Sequence, residues 1–298
     1  MRALAILGPK ATEHDLAPFR ALGAEITAAQ NLNRVNAPKP ADTVLVAGGD
    51  GTVQRQLADL LRIQAPLLVV PAGSANDFAR ALGFRTRADA LRAWEEFLSG
   101  GGNVRQIDVG VLEFGESPHP ASNSAIYFCC AAGVGVDAEV AGRANSLPGW
   151  LRGRGGYFLA AIPALLGFQA QRITLTATQE GKQVRTISEP GILAAAANAP
   201  WYGHGMRIAP QAQLDDGQLE VCFVRRTGKL RLLRLFPKVY QGLHVRLPEV
   251  EYFRSERVRI ESEVPLNVHA DGELLGQTPV EVSVARRALK VIVGTATH

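Results

Sequence analysis

Residues 48–52 read Gly-Gly-Asp-Gly-Thr and stand between the apolar run TVLVA (43–47) and a stretch with helical spacing. Glycines at such a junction remove side chains, so backbone N–H groups can approach an anion closely. The helix that follows adds unpaired amide donors and a partial positive charge at its start. Thr52 offers a hydroxyl donor beside Gly48, Gly49 and Gly51. Asp50 is anionic and would repel a bare phosphate, which implies that a Mg²⁺ ion or a hydroxyl donor is shared there. Taken alone, the run is equally a tight turn in which Asp50 caps its helix. A second polar loop, PAGSANDFAR (71–80), follows the next apolar run. Gly73, Ser74, Asn76 and Asp77 would then lie on the same sheet edge as Asp50, and two such strand ends make one polar site. The spacing fits neither the GxxxxGK[ST] nor the GxGxxG phosphate motif.

Strands and helices must hold these loops side by side. ALAIL reads as a first strand and ATEHDLAPFRALGA as a helix closed by Gly23. TVLVA is a second, central strand, and the helix after it carries Val53, Leu57, Leu60 and Leu61 on one face. APLLVVPAG (65–73) is a further strand, NDFARALGF starts a helix, and RADALRAWEEFLS (87–99) is an amphipathic helix stopped by Gly100, Gly101 and Gly102. Strand–helix alternation with unbroken apolar strands predicts a parallel sheet covered on both faces, a three-layer α/β domain over residues 1–105. After Gly102 the segments VRQIDVGVLEF, SAIYFCCAAGVGV, RITLTATQEGKQVRTI, GILAAAANA, QLEVCFVRR, VRIESEVPLNVHADGE and PVEVSVARRALKVIVG are strand-like. Gly181 supplies a hairpin turn within TQEGKQ. GWLRGRGGYFLAAIPALLGF and GKLRLLRLFPKVYQGL read as helices. Residues 106–298 are therefore expected to form a β-rich sandwich decorated with helices.

Composition narrows the function classes. A 298-residue chain with 47% hydrophobic and 20% charged residues is an ordinary globular balance. A net charge of +4 is mildly basic, which suits a weak attraction to anionic lipid surfaces and argues against a dedicated nucleic-acid binder. Cys129, Cys130 and Cys222 form neither a CxxC pair nor an even disulfide set, pointing to a reducing compartment. The apolar start of MRALAILGPK ends at Gly8, short of a signal peptide, and YFLAAIPALLGF (157–168) is too short to span a bilayer. A cytoplasmic protein is expected.

GGDGT followed by PAGSANDFAR resembles the diacylglycerol kinase catalytic domain family, in particular the bacterial YegS/BmrU-like lipid kinases. RQIDVG (105–110), CCAAGVGVDAEV (129–140), AAANAPWYGHGMRIAPQAQLDDGQLEV (195–221) and HADGEL (269–274) follow that family in order, so the resemblance covers nearly the whole chain. It implies an N-terminal ATP-binding α/β domain related to that of NAD kinases, followed by a C-terminal β-sandwich domain for the lipid. It carries Gly48, Gly49, Gly51 and Thr52 to the ATP phosphates. Asp50, Gly73, Ser74, Asn76, Asp77 and Asp108 fall to the nucleotide and metal network. Asp271 becomes the general base, with Glu273 as a second carboxylate. A structural Mg²⁺ falls to Asp215 and Asp216. Read from residues alone, Ala-Asp-Gly-Glu is first a hairpin turn, and a turn can present Asp271 as well. Paired aspartates such as Asp215 and Asp216 are ordinarily solvated turn residues, and His204 reads as lining.

The implied reaction is transfer of the γ-phosphate of ATP, with Mg²⁺, to a hydroxyl of a diacylglycerol-like or sphingoid lipid. The expected partners are a membrane lipid and the inner membrane face as a peripheral contact, with room for a homodimer and no nucleic acid. RRTGKLRLLRLFPK (225–238) reads first as a surface helix with a solvated basic face, and docking on anionic lipid is the competing reading. YFLAAIPALLGF reads as a core helix kinked at Pro163 or as the lining of a lipid groove. Three features depart from the family. Gln54-Arg55 replace a common Asn-Glu, an N-terminal anion loop is reduced to GPKAT, and no C-terminal helix returns to the first domain. An NAD kinase and a non-catalytic lipid- or nucleotide-binding relative are the alternatives.

Overall fold

The apolar runs of the first hundred residues become neighbouring parallel strands. In the computed structural model, which describes residues 1–29, 32, 41–115, 125–136, 140 and 162–294 (Leu235 by its backbone alone), β1 (Arg2–Leu7) lies between β2 (Glu25–Ala29) and β3 (Thr43–Gly48). β4 (Leu67–Pro71) pairs in parallel with the outer side of β3. Every residue of β3 and β4 is buried, which is why these strands are continuously apolar and do not alternate. The expected first helix is split into a 3-10 turn (Glu13–Leu16) and one turn of helix, α1 (Ala17–Arg20). Pro18 lacks the N–H that a continuous helix would need there. α2 (Asp50–Ile63) packs on β3 and buries Val53, Leu57 and Leu60, each 1% exposed. Burial of such a side chain stabilises by about 1.5–3 kcal/mol. α3 (Asp77–Ala81) is short, and α4 (Arg87–Leu98) starts with a capping box in which Thr86 and Asp89 exchange hydrogen bonds.

Packing divides the chain into Met1–Ile107 with Arg287 onward, and Asp108–Arg286. The expected division at 105 is therefore corrected on the C-terminal side. The residues from Arg287 belong with the first unit, to which the chain returns by a strand. Val291 pairs in parallel with Leu67 of β4, and the Gly294 N–H donates to the Leu82 carbonyl at 2.9 Å.

The second unit is built on antiparallel pairs. Its strands are β5 (Val104–Phe114), β6 (Ile126–Phe128), β7 (Ala131–Gly135), β8 (Gln171–Gln179), β9 (Lys182–Ala197), β10 (Leu219–Arg225), β11 (Val250–Ser255), β12 (Arg257–Ser262), β13 (Asn267–Ala270), β14 (Glu273–Gln277) and β15 (Val280–Ile292). It shares β5 up to Ile107 and β15 from Arg287 with the first unit. β9 is long enough to pair with β8 along its first half and with β7 and β10 along its second. One buried cluster, including Phe128, Leu175, Phe223 and Ile260, forms the inner core. The opposite faces of β7, β9 and β10 carry a second cluster around Ile192, Met206 and Cys222, covered by α5 (Lys229–Tyr240) and a helical turn at 162–167. Residues 149–161 of the other expected helix lie outside the described residues; Ala164 and Leu165, after Pro163, are buried in this second cluster.

Candidate active site

In the first unit, the register of β3 and β4 sets Gly48 opposite Pro71, so the two polar loops start side by side. The Ala72 N–H donates to the Gly48 carbonyl at 3.1 Å. Gly49 and Gly73 then meet backbone to backbone: a Cβ on Gly73 would stand 2.4 Å from the Gly49 Cα, and one on Gly49 3.0 Å from the Gly73 Cα. Asn76 closes the second loop, accepting from the Gly73 N–H at 2.7 Å and donating to its carbonyl at 3.0 Å. This pairing holds Asn76 at a left-handed φ of 56°, a conformation that asparagine tolerates. Ser74 is exposed on the same loop.

Asp50 caps a helix, but the helix is α3 and not its own. Its two carboxylate oxygens accept from the N–H groups of Asp77 and Phe78 at 3.0 and 2.9 Å. Both are orphan donors of a helix N-terminus, so the charge is well placed. Asp77 is 2% exposed and pairs with Arg80 at 2.6 Å. Thr52 follows on the first turn of α2. It is 7% exposed and packs against glycines, because a Cβ on Gly8 or Gly48 would stand 2.7 Å from its Oγ1. The donors left for an anion are the backbone N–H groups at the head of α2, flanked by Gly49 and Gly51.

The second unit holds the other carboxylates. Asp271 and Gly272, at φ 49° and 89°, form the two-residue turn between β13 and β14. The turn aims Asp271 back at the start of β7, where three successive N–H groups converge on its carboxylate. Cys129 donates to Oδ2 at 2.6 Å, and Cys130 and Ala131 donate to Oδ1 at 2.9 and 3.2 Å. Those donors are diverted from strand pairing, and SAIYFCCAAGVGV is consequently two strands broken at Cys129-Cys130. Glu273 follows on β14, partly exposed.

Asp108 belongs to this second group. It is 1% exposed, and its carboxylate accepts from the Gly217 N–H at 2.6 Å while its own N–H donates to the Leu214 carbonyl at 2.6 Å. Asn198, which sequence reasoning missed, ties this loop to the Asp271 clamp. Fully buried, it donates from Nδ2 to the carbonyls of Asp108 and Cys129 at 3.0 and 3.1 Å. Asp215 is exposed; Asp216 accepts from the Gln218 N–H at 3.0 Å and lies 3.8 Å from Arg254. A guanidinium at that distance disfavours a cation. Among the described residues no three His, Cys, Asp or Glu side chains are grouped to hold a metal. All three cysteines are buried thiols, and burial pushes Cys222 up to about 12, so it stays protonated.

An apolar cavity lies between α5 and the outer face of the β9–β10 pair. Its walls include Ile192, Met206, Ile208, Phe236 and Val239, and the side chains of Tyr202, Thr227, His244 and Glu249 add polar groups. His244 is 3% exposed. Its Nε2 meets the Ile208 carbonyl at 3.1 Å, which makes Nε2 the protonated nitrogen, and burial holds its pKa below the usual histidine value. His204 is not among the residues that line this cavity, although its neighbours Tyr202 and Met206 are. No helix among the described residues is long and apolar enough to cross a membrane.

The diacylglycerol kinase catalytic domain matches residues 6–112, and the YegS C-terminal NAD kinase beta sandwich-like domain matches residues 130–293. A diacylglycerol kinase from Mycobacterium tuberculosis (strain ATCC 25618 / H37Rv) is 32% identical over 91% of this chain and 83% of its own length. A "Probable lipid kinase YegS-like" from Chromohalobacter salexigens is also 32% identical, over 77% of this chain and 69% of its own. Among solved structures, a diacylglycerol kinase from Bacillus anthracis str. Sterne superposes with a TM-score of 0.68 at 18% identity, covering 100% of this chain and 98% of that one. An NAD kinase from Archaeoglobus fulgidus in complex with ATP gives 0.51 at 13% identity, covering 99% and 94%, a likeness of fold. With both halves matched in order, the chain belongs to the diacylglycerol kinase catalytic domain family of the YegS type.

Proposed function

We propose that the protein is an ATP- and Mg²⁺-dependent lipid kinase that transfers the γ-phosphate to a hydroxyl of a diacylglycerol-like or sphingoid lipid. The observation that carries this reading is Asp271, a carboxylate fixed on a tight turn by three N–H donors, in a unit that also contains an apolar cavity. Relatives named diacylglycerol kinase and lipid kinase support the acceptor class. When bound, ATP with Mg²⁺ supplies the phosphoryl group and the charge neutralisation that its transfer needs. The amide donors at the head of α2 fit the phosphates, since Gly49 and Gly51 set no side chain in their way. The described carboxylates offer Mg²⁺ no preformed cage, because Asp50 is engaged with α3 and Asp77 with Arg80. Mg²⁺ is accordingly taken to arrive on the phosphates, as it commonly does.

Asp271 would accept the proton of the lipid hydroxyl as its oxygen bonds the γ-phosphorus and the bond from that phosphorus to the bridging oxygen breaks, with ADP leaving. Its three donors hold the acceptor oxygens in place without side-chain rearrangement, which favours a reactive geometry. Walls of Met206, Ile208, Phe236 and Val239 suit an acyl chain. The test is transfer of label from γ-labelled ATP with Mg²⁺ into separate samples of diacylglycerol, monoacylglycerol, sphingosine, ceramide and NAD. A labelled diacylglycerol or sphingoid product is expected. Label in NAD alone would assign the chain to NAD phosphorylation, and nucleotide binding with no labelled product would point to a non-catalytic relative.

A further inference from the structure

The helix α5 is amphipathic with two unlike faces. Leu232, Leu233, Phe236, Val239 and Tyr240 pack on the second core cluster. The other face carries Lys229, Leu230, Arg231, Arg234 and Lys238, which line one shallow depression together with Leu247. Residues 226–248 contain six Lys or Arg and no Asp or Glu. Six charges in this segment against +4 for the whole chain leave the remaining residues at −2, so the positive charge of the molecule is concentrated here. Arg231 is partly spent on an ion pair with Glu249. Among the described residues, no ion pair engages Lys229, Arg234 or Lys238. Leu230 stands among these cations and is 75% exposed, and Leu243, just beyond the helix, is 42% exposed.

A solvated basic face accounts for the cations but leaves Leu230 unexplained. An aliphatic side chain exposed among cations, of which Arg231 alone is ion-paired among the described residues, matches an anionic bilayer, which offers headgroup phosphates to the cations and hydrocarbon to the leucine. Nucleic acid would satisfy only the charges, and among the described residues lining this depression none is aromatic, for bases to stack on. The buried face of the same helix walls the apolar cavity, so the surface and the cavity lie on opposite sides of one element. We infer that the Lys229–Lys238 face of α5 is the surface by which this protein docks on anionic lipid bilayers, with Leu230 inserted below the headgroups. The inference deepens the lipid-kinase reading, because it says how a membrane-resident acceptor is reached.

The test needs no catalysis. The full chain is sedimented with vesicles of phosphatidylglycerol and phosphatidylcholine, and with pure phosphatidylcholine, in the absence of ATP and diacylglycerol. Binding to the anionic vesicles alone is expected, weakening as salt is raised. The triple variant K229E/R234E/K238E should lose at least about tenfold in partitioning, and Leu230→Ser a smaller factor that salt does not change. These side chains are exposed, so the thermal midpoint and phosphorylation of a detergent-dispersed acceptor should stay at the parent level. Equal binding of parent and triple variant, no preference for anionic vesicles, or capture by a short RNA with none by vesicles would each overturn the assignment. Docking without phosphate transfer to any acceptor would leave this surface standing and overturn the kinase reading instead.

Discussion

Asp50 and Asp271 are both held by backbone N–H groups, yet with different consequences. Asp50 binds one loop to the next, since its partners Asp77 and Phe78 start the helix after the second loop. Asp271 is fixed by the strand that its turn faces. The glycines follow the same division: Gly73 is required by the approach of the Gly49 backbone, not by a left-handed conformation. Gly73→Ala should therefore force the loops apart, costing about 1–3 kcal/mol in urea unfolding and weakening ATP binding measured by calorimetry. Unchanged stability and affinity would mean that the two loops do not act as one site. The residue types were legible from the sequence, because Gly48 to Thr52 and Gly73 to Asp77 announce backbone donors and carboxylates. Their partners were not. The cap from Asp50 to α3 spans 27 residues, and Asn198 reaches Asp108 and Cys129 across 90 and 69, distances that no local spacing encodes.

At the scale of elements, periodicity succeeded where one face is apolar and failed where pairing is decided by a distant group. α2 and α4 follow their spacing, and β3 and β4 follow their apolar runs. β2 was missed because Glu-Ile-Thr at a sheet edge offers a single buried apolar side chain, Ile26. The strand through Cys129-Cys130 was read as continuous because its break is made by Asp271, far along the chain. Below α5, burial sets the folded pKa of His244 below the unfolded value near 6.5; His269 is shifted the same way by the same cause. A depressed folded pKa contributes stability that is present above pH 6.5 and is lost as the pH falls through the folded value. The carboxylates Asp15, Asp89 and Glu251, all shifted below their usual values, act only at lower pH. The urea midpoint should thus drop between pH 7.5 and 5.5, and His244→Gln, which keeps a donor for the Ile208 carbonyl, should flatten part of that drop. An unchanged slope in the variant would place the effect elsewhere.

For the molecule as a whole, the α/β and β-sandwich-like halves were legible from the change in strand grammar after Gly102, while the return of the chain to the first unit was not. ALKVIVG reads like any buried strand, and nothing in it says which sheet it joins. Its pairing with β4 follows from the chain geometry after Arg287. The proposed lipid-kinase reading gives phosphate binding to amide donors of the first unit and proton acceptance to Asp271 of the second. That division is tested most directly by measuring transfer from γ-labelled ATP to diacylglycerol for the parent and for Asp271→Asn, with ATP binding measured on both. Asparagine tolerates the left-handed turn conformation, so the variant can keep its hairpin while losing the proton acceptor. The account predicts labelled lipid from the parent, a loss of at least about 10²-fold in the variant, and ATP binding unchanged. Transfer at the parent's rate by Asp271→Asn would contradict it.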